Sequence, residues 1–241
     1  SPAIDVKFVV VDPAKFKVDN LSIPIWTTTP WTLPANEAVC LHPKLKYVLV
    51  KCADIGENFI VLEDLLKPVM QRYGEENYQV VASYVGSDLQ DVMLKHPFLA
   101  DKIVSVILGD YVTVEAGTGA VHTAPAHGQE DYKIGLQYKL PVNNPVGSNG
   151  KFISSVQFFA GENVFDANEH VIAVLKDHGN LIHAETLQHS YPHCWRHKTP
   201  LIFRATQQWF ISMDRVVKED QSLRQQANNE IEEVNWIPVQ G

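Results

Sequence analysis

The chain has 241 residues, 45% of them hydrophobic and 20% charged, which is enough for a sizeable core and excludes wholesale disorder. Twenty Lys and Arg stand against 28 Asp and Glu, a formal charge of −8. Such a field opposes phosphate and argues against non-specific coating of nucleic acid, leaving room only for a small local contact. Three cysteines, Cys40, Cys52 and Cys194, are a poor disulfide framework and favour a reducing compartment. No apolar run approaches the ~18–20 residues that cross a bilayer, so no membrane partner is expected. The opening Ser1-Pro2-Ala3 is neither signal nor basic transit peptide, and with no initiator Met the chain reads as an excised piece or a processed product.

Taken in order, the first half is strand-rich. Val6–Val11, Ile23–Thr29, Tyr47–Cys52 and Gln79–Tyr84 are β-branched or aromatic runs set between Pro, Gly, Asn and Asp. Glu63–Arg72 predicts a helix stopped at Gly74, with Pro68 as an internal irritant. Ile103–Leu108 and Ala120–Thr123 are further strands, and Gln129–Leu140 has helical character. Asp166–His178 is the clearest helix, with Ala167, Val171, Val174 and Leu175 on one face and Gly179 as the stop. Leu181–Leu187 and Leu201–Phe210 read as extended, and Asp214–Ile231 as a polar helix. Trp236 in Trp236-Ile237-Pro238 reads as buried. The sum predicts an α+β fold: a β-barrel-like core of short, mostly antiparallel strands with surrounding helices.

Two polar segments exceed what a core requires. In Trp26-Thr27-Thr28-Thr29-Pro30-Trp31-Thr32-Leu33-Pro34-Ala35-Asn36, Pro30 holds Thr29 out of the helical region. Alternation puts Thr27 and Thr29 on one face and Thr28 on the other. Pro34 and Asn36 then make a turn whose polar groups point outward. The product is a hydroxyl-lined ledge, or simply a Thr-rich edge strand with a proline stop. The second segment runs from Gly117 to Tyr132. His122 lies between Ala120 and Ala124 on one strand face, so small neighbours leave a hollow beside the imidazole. Pro125 and Gly128 break the chain, and a helix opens with Glu130 and Asp131 in its first turn. The helix dipole alone accounts for Asp131, and His122 alone could be a satisfied core histidine. Together they rim a pocket suited to a small cation such as an amino acid's ammonium.

Metal chemistry is a rival reading. His122, His127 and Asp131 could offer three ligands, but their spacing matches no zinc pattern. His189, His193, Cys194 and His197 contain a Cys-x-x-His pair, which is half of a structural zinc site. Phosphate loops and the Gly-x-Ser-x-Gly elbow are absent from the sequence.

The two segments resemble the editing domain inserted in isoleucyl-tRNA synthetase of the bacterial type. Thr27-Thr28-Thr29-Pro30-Trp31-Thr32-Leu33-Pro34-Ala35-Asn36 and Gly117-Thr118-Gly119-Ala120-Val121-His122, through His127-Gly128 and Asp131-Tyr132, carry the likeness. The run from His189 to Pro200 is similar to that insertion's return strands, and Gln208–Asp214 to the segment leading back to the synthetic module. Valyl and leucyl relatives carry Arg before the first proline, where this chain has Thr29. The resemblance implies an editing domain over residues 1–200 and a return segment over 201–241 leading toward a synthetic module absent here. It implies a cytoplasmic, monomeric hydrolase of mischarged valyl-tRNA(Ile), whose partners are the valine-bearing 3′ end of the tRNA and the rest of the parent synthetase. Asp131 would hold the α-ammonium, and His122 would line the side-chain pocket and exclude isoleucine. Thr27, Thr28, Thr29 and Asn36 would contact the terminal adenosine, the ester and the attacking water. Ala124, Pro125 and Ala126 would form the pocket wall. Thr28, Thr29 and Asp131 would carry the catalytic effect, with no cofactor. The family's zinc-ribbon type pairs two Cys near the return strands; His197 stands at the second position here, so no metal is carried over. A non-catalytic module for the aminoacylated 3′ end is the alternative. The His-x-Gly-His and Lys-Met-Ser-Lys-Ser signatures of synthesis do not occur.

Overall fold

The structure, a computed structural model, describes residues 1–218 and 221–237. It divides into two compact units, Ser1–Ala205 and a second that begins at Thr206. Among the described residues, no helix is long and apolar enough to cross a membrane.

Ten strands of the first unit form one sheet: β1 (Pro2–Val10), β2 (Leu21–Thr27), β3 (Ala38–Leu41), β4 (Lys46–Cys52), β5 (Glu57–Leu62), β6 (Tyr78–Val85), β7 (Met93–Lys95), β8 (Ile103–Leu108), β9 (Ala120–Thr123) and β10 (Leu181–Thr186). Their spatial order is β6-β4-β5-β2-β1-β7-β8-β3-β9, with β10 also on β1. Only β2–β5 and β3–β8 pair parallel; the other pairs are antiparallel, as expected. The central strand β1 pairs with β2 along one edge. Its other edge is shared by β10 at Pro2–Val6 and by β7 at Val9–Val10.

The sheet curls until the turn before β9 meets β2 and β5. Thr118 Oγ1 donates to the Pro24 carbonyl at 2.7 Å, and Leu62 N to the Thr118 carbonyl at 3.0 Å. Gly119 sits at φ +81°, and a Cβ there would stand 2.2 Å from Leu62 Cβ. Only glycine permits that approach in that conformation.

Alternation drives the core. Ile4, Val6, Phe8 and Val10 of β1 are buried with Ile23 and Ile25 of β2 and Leu49 and Phe59 of the neighbouring hairpin. Helix α3 (Ala167–Asp177) lays Ala167, Val171, Val174 and Leu175 onto it, which is the face its periodicity predicts. Helix α1 (Leu66–Tyr73) adds Val69 and Met70. Pro68 falls in its first turn, where a missing N–H costs nothing, and Gly74 caps it at φ +69°. Helix α2 (Gln129–Gln137) packs Ile134 against a smaller cluster of Ala38, Cys40, Ile107 and Val112. That cluster holds the start of α2 beside the end of β9.

Three expectations fail. Leu201–Phe210 joins no strand ladder. Instead, Ala205 N donates to the Ala126 carbonyl at 2.7 Å and Arg204 Nε to the Val146 carbonyl at 3.2 Å. Loop contacts, not a strand ladder, hold the run at Arg204 and Ala205. Asp214–Ile231 is helical only in its second half. Strands β11 (Val216–Lys218) and β12 (Gln221–Ser222) pair first, and helix α4 (Leu223–Glu233) starts at a capping box of Ser222 and Gln225. Trp236 is 54% exposed, not buried; Pro238 lies outside the described residues.

One polar contact sits within the apolar frame. Asp5, 1% exposed on β1, receives both Arg72 Nε at 2.8 Å and Nη2 at 2.7 Å, plus Tyr73 Oη at 3.0 Å. Burial pushes the Asp5 carboxyl up, and the guanidinium pulls it back. Removing one partner strands a buried charge. Arg72→Met is therefore expected to lower unfolding free energy by about 3–5 kcal/mol, measured by urea denaturation at pH 7. A loss under 1 kcal/mol would show the pair to be unimportant.

Candidate functional site

The Thr ledge is built from the end of β2 inward. The strand stops at Thr27, and Thr28 makes a bend. Thr29, at φ −130° and ψ 65°, is kept out of the helical region ahead of Pro30. A 3-10 turn, Pro30–Ala35, follows. Thr29 N donates to Thr27 Oγ1 at 3.0 Å, and the Thr29 carbonyl accepts from Thr32 N at 3.1 Å and Thr32 Oγ1 at 2.8 Å. Simple strand alternation therefore stops before Thr28.

The turn does not point outward as expected. Asn36 is 0% exposed. Its Nδ2 donates to the Ala38 carbonyl at 2.9 Å and meets His122 Nδ1 at 2.7 Å. On the other side of the ring, His122 Nε2 lies 3.0 Å from Thr32 Oγ1. Because the Thr32 hydroxyl donates to Thr29, it must accept from the imidazole. The Asn36 amide donates to Nδ1, so the proton resides on Nε2. His122, 8% exposed, is thus a neutral ring held at both ends. Burial, with His96, His127 and Lys102 nearby, depresses its pKa to about 3. Thr32 and Asn36 take up the two ring nitrogens. Asn36 Oδ1 remains buried without a partner.

Asp131 sits half-buried in the first turn of α2. Its Oδ2 accepts from Ala124 N at 2.8 Å, which ties the helix to the end of β9. Burial pushes its pKa up against that hydrogen bond. Ala124, Pro125 and Ala126 are all buried. Pro125 packs on Gly135 of α2, where a Cβ would come within 2.8 Å of it. His127 presents its ring edge to face with Trp31, centroids 4.9 Å apart, and its Nδ1 lies 2.9 Å from the Phe203 carbonyl. These bonds join Asn36 to His122 directly, Thr29 to His122 through Thr32, and Trp31 to the turn that precedes Asp131.

Thr28 and Thr29 line a cleft of about 240 Å³ with Trp31, Phe165, Asn168 and Tyr191. Trp31 N donates to Asn168 Oδ1 at 3.1 Å, and Asn168 Nδ2 to the Phe165 carbonyl at 3.1 Å. Thr32, Asn168, Phe165 and Tyr191 were not marked by sequence reasoning. Thr32 lies inside the ledge motif and could have been found there. Asn168 is 137 residues from its partner and carries no local signal.

Neither His122 nitrogen is free for a metal. Cys194 Sγ is 3.4 Å from His197 Nδ1, in a knuckle closed by Cys194 N to the Thr199 carbonyl at 2.8 Å. Among the described residues, no group of three or more His, Cys, Asp or Glu is placed to share an ion.

The clamp predicts a pH signature. A histidine ordinarily near 6.5 whose folded pKa is about 3 leaves the folded state with fewer protons than the unfolded one between those values. Its contribution is complete above pH 6.5 and is lost as pH falls toward 3. The parent is expected to lose more unfolding free energy than His122→Gln between pH 7 and pH 4. Equal losses would contradict the neutral clamp.

Comparison with known proteins identifies the family. A family model described as leucyl-tRNA synthetase, editing domain, matches residues 6–174. The isoleucine–tRNA ligase of Methylococcus capsulatus is 55% identical over 252 residues, covering 100% of this chain and 26% of that protein. The isoleucine–tRNA ligase of Coxiella burnetii is 53% identical over 251 residues, with the same coverage. The chain thus spans about a quarter of the length of the curated relatives it matches. The crystal structure of GlLeuRS-CP1 superposes with a TM-score of 0.61 at 16% identity, covering 77% of this chain and all of that one. The cytosolic leucyl-tRNA synthetase editing domain of P. falciparum gives 0.62 at 8% identity, covering 78% and 100%. These two likenesses establish a common fold. The chain belongs to the synthetase editing-domain family, and along its whole length it is similar to the connective-peptide editing segment of isoleucine–tRNA ligases.

Proposed function

We propose that the chain is a post-transfer editing hydrolase that cleaves the ester of valyl-tRNA(Ile). The observation that carries this reading is the direct bonding of the Thr ledge to the His122 strand beside an open cleft. In this reading residues 1–200 form the deacylase, and 201–241 return toward the synthetic part of a cytoplasmic parent enzyme. The terminal adenosine enters the cleft at Thr28 and Thr29, with Phe165 and Tyr191 as its aromatic walls. Asp131 pairs with the α-ammonium through Oδ1, while Oδ2 stays on Ala124 N. Thr27 acts through the Thr29 backbone that it accepts from, and Asn36 through the His122 ring that it holds. The catalytic effect of Thr28, Thr29 and Asp131 is orientation of ester and water; an aminoacyl ester is already activated and needs no covalent nucleophile.

Selectivity follows from size. One methylene is worth only ~1–3 kcal/mol in a hydrophobic pocket, isoleucine against valine in this enzyme class being the well-known instance. A second site that admits the smaller side chain and clashes with the larger resolves the pair. An imidazole fixed at both nitrogens is a stiff wall for that purpose, and buried Ala124, Pro125 and Ala126 complete it.

Deacylation of purified valyl-tRNA(Ile) tests the reading, in this chain and in the full-length ligase that carries it. Asp131→Ala is expected to lower kcat/KM at least ~30-fold, the lower end for truncating a desolvated charge pair. Retained activity would remove Asp131 from the site. His122→Ala is expected to raise hydrolysis of isoleucyl-tRNA(Ile) relative to valyl-tRNA(Ile) by about 10–100-fold. An unchanged ratio would reject the sieve. Saturable binding without turnover in the full-length ligase would instead identify a non-catalytic module.

A further inference from the structure

A second cleft, of about 350 Å³, adjoins the first. The two share Phe165 and Pro200 as lining residues. Past Phe165 lies a hollow bounded by Ser148, Asn149, Asn163 and Arg204. Phe165, 39% exposed, is held on both sides. Its N donates to Asn163 Oδ1 at 3.0 Å, and its carbonyl accepts from Asn168. Because Asn168 also binds Trp31 N, the backbone that carries the ring is tied to the Thr ledge.

The electrostatics of the two clefts depart from the rest of the molecule. The chain carries 28 acidic residues and a net charge of −8. Yet no Asp or Glu is among the residues lining either cleft, and Arg204 is the one cation that lines the second. Arg204 Nε donates to the Val146 carbonyl at 3.2 Å. That bond anchors the guanidinium of a residue that lines the hollow. An anchored guanidinium, amide side chains and an exposed aromatic ring in a carboxylate-free groove are the chemistry of a single-stranded nucleic-acid track.

We propose that the second cleft holds the nucleotide preceding the terminal adenosine, with its backbone phosphate on Arg204 and Phe165 as the aromatic step between the two nucleotides. The assignment rests on the editing reading for the identity of the strand, the 3′-terminal C-C-A of a tRNA. It makes a separate claim, that affinity for the strand extends beyond its last residue.

The test compares binding of the trinucleotide CCA with binding of adenosine monophosphate, by fluorescence or NMR titration. Arg204→Gln is expected to lower the ratio of CCA affinity to adenosine monophosphate affinity by about tenfold. It is also expected to reduce the slope of log affinity against log salt for CCA by about 0.7, the value for one phosphate contact on a single strand. Arg204→Lys, which keeps the charge, should restore most of the salt slope, and it separates loss of the phosphate contact from a fold defect. An unchanged ratio and slope in Arg204→Gln would overturn the proposal, as would CCA binding no tighter than adenosine monophosphate in the parent. CCA affinity that depends on Arg204, in a protein whose full-length ligase does not deacylate valyl-tRNA(Ile), would uphold the track while rejecting the hydrolase.

Discussion

A neutral imidazole bonded at both ends is the constraint on which the site depends. His122 joins β9 to the 3-10 turn through Thr32 and to the start of β3 through Asn36. Each partner has a further fixed role: Thr32 also bonds the Thr29 carbonyl, and Asn36 also bonds Ala38. The direction of every hydrogen bond in this chain follows from those outer contacts. Were the ring protonated, Nδ1 would face the Asn36 amide donor with a proton of its own. Burial and donor geometry therefore favour the same protonation state, and the ledge inherits its position from it.

The site thus stands where two long-range arrangements meet. Ala38–Leu41 pairs with β8 on one side and β9 on the other, so the His122 strand hangs on a short bridge of four residues. On the opposite face of that bridge, Cys40 and Ala38 pack against Ile134 of α2. The helix that carries Asp131 is seated by apolar contact, and its exact approach is set by one bond to Ala124 N. Hydrophobic packing supplies most of the holding energy here and hydrogen bonds supply direction. The small residues around His122 have the same logic, since Ala124 and Ala126 are buried where their backbone groups must reach Asp131 and Ala205.

Much of the frame was legible because it obeys local rules. The apolar alternation of Ile4, Val6, Phe8 and Val10 announces a strand with one core face, and Gly74 and Gly179, both at positive φ, announce helix ends. What the sequence concealed is what depends on distant partners. Asn36 reads as a turn residue, and local preference sends such an amide to water. A histidine 86 positions away draws it inward instead. Leu201–Phe210 has strand composition but finds loop carbonyls, not a ladder, because its first residues dock on Ala126 and Val146. The helix over Asp214–Ile231 begins late because Ser222 and Gln225 form a better start signal than anything before them. The editing family was legible for another reason: the two motifs that carry the resemblance are the two segments that the His122 bonds join.

Charge gives the last step. A net −8 read over the whole chain suggests a protein that avoids nucleic acid. Screening limits that inference, since beyond about 8 Å at physiological salt an exposed carboxylate contributes little to a local contact. What a bound strand would sense is the lining, and the residues lining the two clefts include one arginine, hydroxyls, amides, aromatic rings and aliphatic groups but no carboxylate. The acidic surplus elsewhere then has a constructive effect on the proposed reaction. It discourages the bulk of a polyanion from settling across the surface, so that only a thin single-stranded end, able to enter a carboxylate-free groove, gains from binding. Overall charge and local lining of opposite character would then make the proposed contact selective for a terminus over a duplex.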